Sequence, residues 1–394
     1  MRIGRTIPPA AAPLDWRDLC SGIAGFFSGA RAIQALEDEI RREFGVAHVF
    51  LVSSGKAAVT IAIEALQSLS PRREVVIPAY TCFSVPAAVL KAGARPVICD
   101  IDARTFDFDA ADLGAAVGDR TLCVIAQHLF GIPAALGPIR DRCRAAGAFL
   151  VEDAAQAMGA ESEGRRLGTI GDDGIFSLGR GKNITCGSGG IIVTSSDVIA
   201  AAIRARYAAL GTPSAFEQVK DFVRVLLMTI FIRPRLYWMP ASLPFLGLGR
   251  TIFPKEIPLA RLSAMKAGLL RRWRRQLARS NQARAEAAAY FARTLPVPGA
   301  PRASYPYLRL PFLAASAAER DRIVSASRAR GLGVSVAYPT PIDEIPEVRA
   351  VCDSGRFPAA RNVSRSLFTL PTHQWLSAAD KRAIVELCRG ARAA

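Results

Sequence analysis

The chain has 394 residues, of which 51% are hydrophobic and 22% are charged. This length and apolar content allow a large domain plus a smaller one, and they exclude an intrinsically disordered chain. The formal net charge of +17 allows nucleic acid, an anionic membrane surface or phosphorylated substrates as partners, and it is equally compatible with a solvated surface rich in arginine.

The eight cysteines form neither a CxxC pair nor a metal-ligand spacing, and several lie within apolar runs. This pattern predicts buried free thiols in a reducing compartment and no metal site. The N-terminal stretch MRIGRTIPPAAAPLDW lacks the continuous apolar core that a signal peptide requires. The sequence therefore predicts a cytoplasmic protein.

The first two hundred residues predict an alternation of strands and helices. Residues 32–45 have apolar side chains at helical spacing and end at a glycine. Short β-rich runs follow, and helical patterns separate most of them; the seven runs are 48–53, 74–78, 96–101, 122–128, 148–153, 174–179 and 189–194. This alternation predicts a doubly wound, mostly parallel seven-stranded sheet, which binds ligands at the carboxyl ends of its strands.

The alternation ends near residue 205. Residues 222–249 are very apolar, but Arg224, Arg233, Arg235 and three prolines interrupt them. Because a membrane-spanning helix needs about 20 mostly apolar residues, we predict no span here. Packing in the core, a dimer interface and contact with a membrane surface remain as alternatives. A long helix with a densely basic middle, from Arg271 to Arg279, is predicted next.

The last hundred residues predict a second, smaller α+β domain. Residues 305–313 and 334–339 are typical of strands, 317–331 of a helix between them, and 377–390 of a closing helix with a serine cap. The predicted division is a 1–30 N-terminal arm, a 31–260 large domain with the 222–249 insertion, a 261–290 connecting basic helix and a 291–394 small domain.

Two motifs at strand ends supply polar groups. The stretch VSSGKAA (52–58) follows a strand and opens a helix, where backbone amides form an anion site, although helix capping by Ser53 or Ser54 also explains it. The stretch LVEDAAQAMGA (150–160) ends an apolar strand with two acids. A charge there is costly unless it has a partner, and a helix cap or a salt bridge is the alternative reading.

The third motif is FSLGRGKN (176–183), which places Lys182 in a glycine turn five residues after Ser177. Taken alone, such a lysine is usually a surface residue. With the other two motifs it fits pyridoxal phosphate, which needs an anion cradle, a Schiff-base lysine and a carboxylate that faces the ring nitrogen. Arginine, the common cation of this chain, cannot lose its proton and condense with an aldehyde, so this chemistry requires lysine.

These motifs resemble those of the DegT/StrS-type aminotransferases, fold-type I pyridoxal phosphate enzymes that mostly aminate keto groups of nucleotide-linked sugars. The resemblance covers about residues 25–195 and continues more faintly to the end. It rests on VVIPAYTCFSVPAAVLKAGARPVICDID, HLFGIPAAL, VEDAAQA, FSLGRGKN…GSGG, YPTPIDEIP and LFTLPTH. It implies an α/β fold-type I pyridoxal phosphate transferase domain with a smaller C-terminal α+β domain.

The resemblance also implies residue roles. Lys182 would form the Schiff base and move protons, Asp153 would pair with the pyridinium nitrogen, and Gln156 would lie near the ring's 3-oxygen. The phosphate would contact the residues Ser54, Gly55, Lys56 and Ser177. The predicted substrate residues are His128, Arg261 and Tyr338.

Several positions depart from the family pattern. Lys56 replaces a small hydroxyl residue, and its ammonium either binds the phosphate or points to solvent. Cys82 occupies the place of the ring-stacking aromatic, for which Phe83 or Tyr80 would substitute. The other departures are Leu259, in place of an asparagine that reaches the partner's phosphate, and Met158 and Asp343, in place of histidines.

The sequence thus predicts a homodimeric aminotransferase with pyridoxal phosphate as cofactor. The donor would be glutamate and the acceptor a keto group of a carrier-linked sugar, in cell-surface glycan or glycolipid biosynthesis. The alternative is a catalytically inert binding or regulatory protein, against which the retention of Lys182 and Asp153 argues. No nucleic-acid-binding module is predicted, and peripheral contact of 222–249 with the inner membrane face is the alternative to a purely cytoplasmic enzyme.

Overall fold

The computed structural model describes residues 2–12, 14–249, 251–295, 305–352 and 355–393. The α-helices are α1 (Trp16–Ser28), α2 (Ala30–Phe44), α3 (Gly55–Leu69), α4 (Ser84–Lys91), α5 (Ala110–Ala116), α6 (Leu136–Ala146), α7 (Asp197–Ala208), α8 (Ala215–Phe231), α9 (Trp238–Ala241), α10 (Ala264–Leu269), α11 (Trp273–Thr294), α12 (Ala317–Arg330), α13 (Pro346–Arg349), α14 (Pro358–Ser366) and α15 (Ala378–Ala393). The strands are β1 (His48–Val52), β2 (Glu74–Pro78), β3 (Arg95–Cys99), β4 (Thr121–Gln127), β5 (Phe149–Asp153), β6 (Glu161–Ser162), β7 (Arg165–Arg166), β8 (Asp173–Ser177), β9 (Gly190–Thr194), β10 (Arg309–Leu313) and β11 (Leu367–Pro371). Short 3-10 helices lie at Leu129–Gly131, Pro244–Leu246 and Ile342–Glu344.

Seven strands of the described chain form one sheet in the order β1-β9-β8-β5-β4-β2-β3. β9 runs antiparallel to both of its neighbours, whereas the other six strands point the same way. The prediction of a seven-stranded, mostly parallel sheet is therefore confirmed. These strands read as continuous apolar runs because both faces of the sheet are covered, and every residue of β4 is buried.

Helices pack on both faces of the sheet. On one face, Ile61 and Ile63 of α3 join a buried cluster with strand residues such as Ile192. On the other face, the ring of Phe44 in α2 lies 4.8 Å from that of Phe176 in β8. Trp273, at the start of α11, stacks on the same Phe44 at 6.1 Å. Alternate side chains of each strand therefore enter two separate cores, as a doubly wound sheet requires.

The C-terminal part is built on a two-stranded antiparallel sheet of β10 and β11, which packs with α12 and α15. The predicted strand at 334–339 is wrong: only Ser335 pairs there, through an isolated bridge to Thr369. Hydrogen bonds from side chains replace strand pairing in this segment; the Tyr80 hydroxyl, for example, donates to the Tyr338 carbonyl. The proposed boundary at 290/291 stays a prediction, and residues 296–304 lie outside the described residues.

The predicted N-terminal arm divides into an extended piece and a helix. α1 packs tightly on α10, because a Cβ at Gly25 would lie 2.6 Å from the Cα of Gly268. The extended piece crosses to the small domain, where the Ile7 N–H donates to the Gly331 carbonyl at 2.9 Å. The arm therefore connects the two parts of the chain.

The apolar insertion 222–249 lies at the protein surface. In α8 the side chains of Val225 and Thr229 are buried, whereas those of Val223, Leu227 and Ile230 are exposed. Among the described residues, no helix is long and apolar enough to cross a bilayer. α8 is therefore an amphipathic helix whose outward face is apolar.

β8 carries a buried carboxyl group at its first residue. Asp173 is 2% exposed, and neither of its carboxyl oxygens has a hydrogen-bond partner among the described residues. Burial, together with the neighbouring charge of Asp172, raises the pKa of Asp173 to about 8. The folded protein therefore holds this group protonated at neutral pH, whereas the unfolded chain, with a pKa near 4, ionises it.

Replacement of Asp173 by asparagine is expected to flatten the pH dependence of stability. Between about pH 4 and pH 8 the folded state binds more protons than the unfolded state at this site, so the free energy of unfolding falls as pH rises through this window. Asp173→Asn, which cannot ionise, should raise the free energy of unfolding at pH 8 by about 2–5 kcal/mol, and at pH 5 by less than half as much. Urea unfolding at both pH values measures this, with the exposed Asp141→Asn as control; an unchanged pH dependence contradicts it.

Candidate active site

Three of the predicted motifs meet at the carboxyl edge of the sheet. Gly190 of β9 pairs with Val52 of β1 on one side and with Ser177 of β8 on the other. One strand further, Asp153 of β5 pairs with Ile175 of β8. Since neighbouring strands are about 4.8 Å apart, the loops after β1, β8 and β5 start side by side. These loops carry the anion motif, the lysine motif and the acidic motif.

The anion motif forms a cradle at the start of α3. Ser54 caps the helix, because its Oγ accepts a hydrogen bond from the Ala57 N–H at 3.1 Å. The N–H groups of Gly55 and Lys56 have no hydrogen-bond partner in the part of the chain described. Ser177 lies directly opposite: a Cβ at Gly55 would be 3.0 Å from its Oγ. Two open amides, a hydroxyl and the positive end of a helix suit a phosphate group.

Asp153 is the last residue of β5 and is half-buried. Its Oδ1 accepts a hydrogen bond from the Ala155 N–H at 3.1 Å, which agrees with the turn-cap reading of the motif. Its Oδ2 has no partner among the residues described. Asp153 therefore has a free acceptor at the edge of the sheet, where a cationic ring nitrogen would be a suitable donor.

Lys182 lies in the turn after β8, and its N–H donates to the Gly179 carbonyl at 3.2 Å. A Cβ at Gly179 would be 3.9 Å from the Lys182 Cγ and 3.4 Å from the Ser177 Oγ, so the lysine stem and the hydroxyl flank the same glycine. The Lys182 side chain is half-buried and forms no hydrogen bond or ion pair within the described ranges. The amine is therefore available for chemistry beside the cradle.

Gln156 and Tyr338 form a polar contact in this region. The Gln156 Nε2 donates to the Tyr338 Oη at 3.0 Å, and its Oε1 accepts from the Phe130 N–H at 3.2 Å. The Tyr338 ring stacks on Phe83, with centroids 6.5 Å apart, and packs against Tyr80 at 5.4 Å. Burial raises the pKa of Tyr338 well above its usual value, and the charges of neighbouring groups that include Asp153 add to this. Both aromatic candidates for ring stacking therefore contact the same tyrosine.

The buried His128 side chain has hydrogen-bond partners of its own. It is 1% exposed, its Nδ1 accepts from the Ala134 N–H at 3.1 Å, and its Nε2 lies 3.0 Å from the Glu152 Oε2. Burial by itself would raise the pKa of Glu152, but the hydrogen bond and charge of His128 and the amides of Gly171 and Gly168 lower it. Both ring nitrogens are engaged inside the fold, so these contacts give no support to the predicted substrate role.

The structure does not direct the Arg261 side chain to the cradle. Its guanidinium lies 4.8 Å over the Tyr207 ring and donates to the carbonyls of Tyr207 and Ala208, at the end of α7. Only its backbone approaches the site, through a bridge to Val52. For Lys56 the two alternatives stay open, because its half-buried ammonium has no partner among the described residues.

Two residues of α11 contact the site loops and were missed by the sequence analysis. Arg284 donates to the Lys182 carbonyl at 3.1 Å, and Asn281 donates to the Met158 carbonyl at 2.9 Å. Arg284 is fully buried, three residues before Ala287 and seven before Phe291. An arginine in register with the apolar face of a helix was the available signal, but the many exposed arginines nearby concealed it.

In the described part of the chain, no group of three or more His, Cys, Asp or Glu side chains could hold a metal ion. A primary amine, a free carboxylate oxygen, two open amides and a hydroxyl at one sheet edge match the groups that pyridoxal phosphate requires. Together with the sheet topology, they define a fold-type I pyridoxal phosphate-dependent transferase.

Comparison with known proteins gives the family. Residues 23–389 match the sequence model of the DegT/DnrJ/EryC1/StrS aminotransferase family. The chain is 31% identical over 324 residues to UDP-N-acetyl-3-dehydro-alpha-D-glucosamine 3-aminotransferase of Acidithiobacillus ferrooxidans, which covers 81% of this chain and 77% of that protein. It is 28% identical over 365 residues to dTDP-4-dehydro-2,3,6-trideoxy-D-glucose 4-aminotransferase of Saccharopolyspora spinosa. That match covers 90% of this chain and 87% of that protein.

A solved structure agrees over nearly the whole chain. The aminotransferase TlmJ from Streptoalloteichus hindustanus superposes with a TM-score of 0.78 at 25% identity, covering 98% of this chain and 99% of that one. The chain belongs to the DegT/DnrJ/EryC1/StrS aminotransferase family, whose members depend on pyridoxal phosphate. The predicted resemblance, the fold class and the prediction of an aminotransferase are confirmed.

Replacement of His128 tests whether it is structural. His128→Ala should lower the free energy of unfolding by about 3–5 kcal/mol, because it leaves the buried Glu152 carboxylate without its partner. The KM values of the folded fraction should stay unchanged. Urea unfolding and steady-state kinetics measure the two effects.

His48→Ala is the matched control, since the His48 ring contacts Asp197 at the surface and should contribute no more than about 1 kcal/mol. His128→Gln, which retains an N–H donor, should lose less stability than His128→Ala. A raised KM with unchanged stability would instead assign His128 to the substrate.

Proposed function

We propose that this enzyme moves an amino group from glutamate to a keto group of a nucleotide-linked sugar, with pyridoxal phosphate as its cofactor. The observation that carries the proposal is the grouping of Lys182, Asp153 and the α3 cradle at adjacent strand ends. The relatives named above, which act on UDP- and dTDP-linked keto sugars according to their names, support the acceptor class.

Different residues would bind different parts of the cofactor. The N–H groups of Gly55 and Lys56, with the Ser177 hydroxyl, would bind the phosphate at the start of α3. The free Oδ2 of Asp153 would accept the ring N–H and keep that nitrogen protonated. Ser54 would contribute indirectly, since its Oγ caps the helix that presents the amides.

Bound pyridoxal phosphate supplies an aldehyde that takes up amines and a ring that withdraws electrons from the donor carbon. Lys182 would hold the cofactor through its Nζ between turnovers and would carry the proton removed from the donor carbon. Gln156 is held at both ends, by the Phe130 N–H and the Tyr338 Oη, and would orient the ring's 3-oxygen. Phe83 and Tyr338 would exclude water from one side of the site.

We also propose that the enzyme works as a homodimer. The family resemblance supports this, because fold-type I enzymes of this kind place their site at a dimer interface. The Ala260 carbonyl accepts from the Ser53 N–H at 2.9 Å, so the segment around Leu259 lies beside the cradle. A partner subunit that approaches this segment would complete the wall of the site.

Replacement of Lys182 by arginine tests the central assignment. The wild-type enzyme loaded with pyridoxal phosphate should absorb near the visible edge, lose this band with borohydride and bleach with glutamate. Lys182→Arg keeps the charge but cannot condense with an aldehyde, so it should lose the borohydride-sensitive band and about 10³-fold or more in kcat. Absorption spectra and amine transfer to a keto sugar nucleotide measure this.

Lys56→Arg is the matched control and should retain the band. A wild-type band that borohydride removes but glutamate does not bleach would favour the inert binding protein. Full activity of Lys182→Arg would overturn the proposed function.

We propose, finally, that the outward face of α8 docks on an anionic membrane surface. The α8 apolar stripe consists of five exposed residues at helical spacing, which are Phe216, Val219, Val223, Leu227 and Ile230. α8 has 17 residues and is about 26 Å long, so it could lie parallel to the membrane with its apolar stripe in the headgroup region.

Charge favours lipid over a second protein copy as the occupant of this stripe. Lys220 and Arg224 flank the stripe, and Arg233 and Arg235 follow it; all four are exposed, and they outnumber the α8 acids Glu217 and Asp221, of which Asp221 pairs with Arg224. A two-fold contact through the stripe would bring the same positive charges together, whereas anionic headgroups would balance them. The acceptor would then be used near the membrane, for a lipid-linked product.

Flotation with vesicles tests the membrane proposal. At low salt the enzyme should float with vesicles that contain anionic lipid, and Val223→Glu with Leu227→Glu should reduce the bound fraction about tenfold. Val198→Glu, which changes an exposed apolar residue of α7, is the matched control. Absence of flotation at low salt, or conversion of the double variant to a monomer with unchanged flotation, contradicts the proposal.

A further inference from the structure

A fully buried arginine of α11 lies behind the lysine turn. Arg284 of α11 is 0% exposed, and no carboxylate pairs with it in the described ranges. Its Nη atoms donate to the Ser280 Oγ at 2.6 Å and otherwise to main-chain carbonyls, and its Nε has no partner among the described residues. An uncompensated buried charge is costly, so its hydrogen bonds must offset a large desolvation penalty.

These carbonyls, three in the described ranges, belong to segments around the site. Arg284 Nη2 donates to the Lys182 carbonyl at 3.1 Å and to the Ala11 carbonyl at 3.0 Å, and Nη1 donates to the Asn183 carbonyl at 3.4 Å. The lysine turn forms no helix or strand, so these hydrogen bonds replace those that regular structure would provide. Arg284 therefore fixes the backbone from which the Lys182 side chain extends.

Asn281, one turn earlier on the same face of α11, connects the lysine turn to the acidic motif. Its Oδ1 accepts from the Asn183 Nδ2 at 3.1 Å, and its Nδ2 donates to the Met158 carbonyl at 2.9 Å. Met158 lies five residues after Asp153, in the loop that also carries Gln156. One helical turn thus contacts both the loop with the amine and the loop with the acid.

The N-terminal arm is the third segment held here. A Cβ at Gly181 would lie 3.2 Å from the Ala10 Cβ, so the arm packs directly on the lysine turn. Two residues before Ala10, the Pro8 carbonyl contacts the His373 Nε2 at 2.8 Å, and burial lowers the pKa of His373 to about 4, which keeps this ring neutral. The arm therefore joins the lysine turn to the small domain.

From these contacts we infer that Asn281 and Arg284 are positioning residues, which hold the Lys182 turn in register with the Asp153 loop and the N-terminal arm. This inference rests on the proposed function, because it assumes that Lys182 moves the proton. Neither residue touches the reacting atoms. Their effect is geometric: a shift of about 1 Å in a reacting group can cost about 10²-fold in rate.

The first test is kinetic. Arg284→Gln should lower kcat about 10–100-fold and leave the KM of glutamate within about twofold, because the donor contacts are unchanged. Proton transfer should become slower than the other steps, so the isotope effect with glutamate deuterated at its α carbon should rise. A loss of folded enzyme alone would lower kcat without any change in the isotope effect. Arg284→Lys, which keeps the charge but has fewer donors, should recover part of the rate.

The second test uses the cofactor-free protein. In Arg284→Gln, hydrogen exchange should accelerate in residues 178–186 and in the arm at 5–12. In Asn281→Ala, it should accelerate in residues 178–186 and 154–160. In both variants the strands β2–β4 should stay protected. Arg279→Gln, an exposed residue of the same helix, is the matched control for both tests.

The outcomes separate this inference from the proposed function. An unchanged isotope effect together with unchanged local exchange overturns the inference and leaves the aminotransferase assignment intact. Full activity of Lys182→Arg overturns both. Global acceleration of exchange in every variant assigns Arg284 and Asn281 to general stability and also contradicts the inference.

Discussion

The site depends on the close approach of three strands at Gly190. This glycine pairs with Val52 and with Ser177 at once, because β9 runs antiparallel between two strands that point the same way. A Cβ at this position would overlap the Ser54 carbonyl, so the absence of a side chain allows α3 to begin against the end of β8. The open amides and the hydroxyl of the cradle are consequences of this contact.

Two adjacent acids show how strand geometry separates structural from chemical roles. Successive side chains of β5 point to opposite faces, so Glu152 and Asp153 enter different surroundings. Glu152 is 0% exposed and accepts hydrogen bonds from His128, Gly168, Ile170 and Gly171. Asp153 accepts one backbone hydrogen bond and keeps an oxygen free. The first acid stabilises the fold, and the second keeps an oxygen available at the carboxyl edge of the sheet.

The arginines of α11 also differ in their surroundings. Arg272 pairs with Asp15 and Arg274 with Glu43, so part of the basic run of α11 joins that helix to the N-terminal helices. Arg284, on the same helix, is buried beneath the lysine turn. Residues of the basic run therefore help to hold the enzyme together, whereas the exposed Arg224 beside the α8 apolar stripe pairs with Asp221 of its own helix.

Local patterns predicted what depends on short stretches of chain. Each of the seven strands is an apolar, β-rich run between turn residues, and this local preference agrees with burial in the sheet. The strand prediction at 334–339 was wrong because tertiary contacts determine the conformation of that segment. The side chains of Arg309 and Tyr80, distant in sequence, donate hydrogen bonds to its carbonyl groups. Pattern alone could not distinguish this segment from a paired strand.

The sequence by itself determined the reactive groups and their order: an amine among glycines, an acid at a strand end and small residues before a helix. Only the tertiary structure decided which polar residues remain accessible. It paired His128 with Glu152, turned Arg261 toward Tyr207 and set Arg284 behind Lys182. These contacts join residues 24 to 102 positions apart, and one from Arg284 reaches Ala11 across 273 positions. No local periodicity records such separations, because they arise only when the strand ends are brought to a common edge.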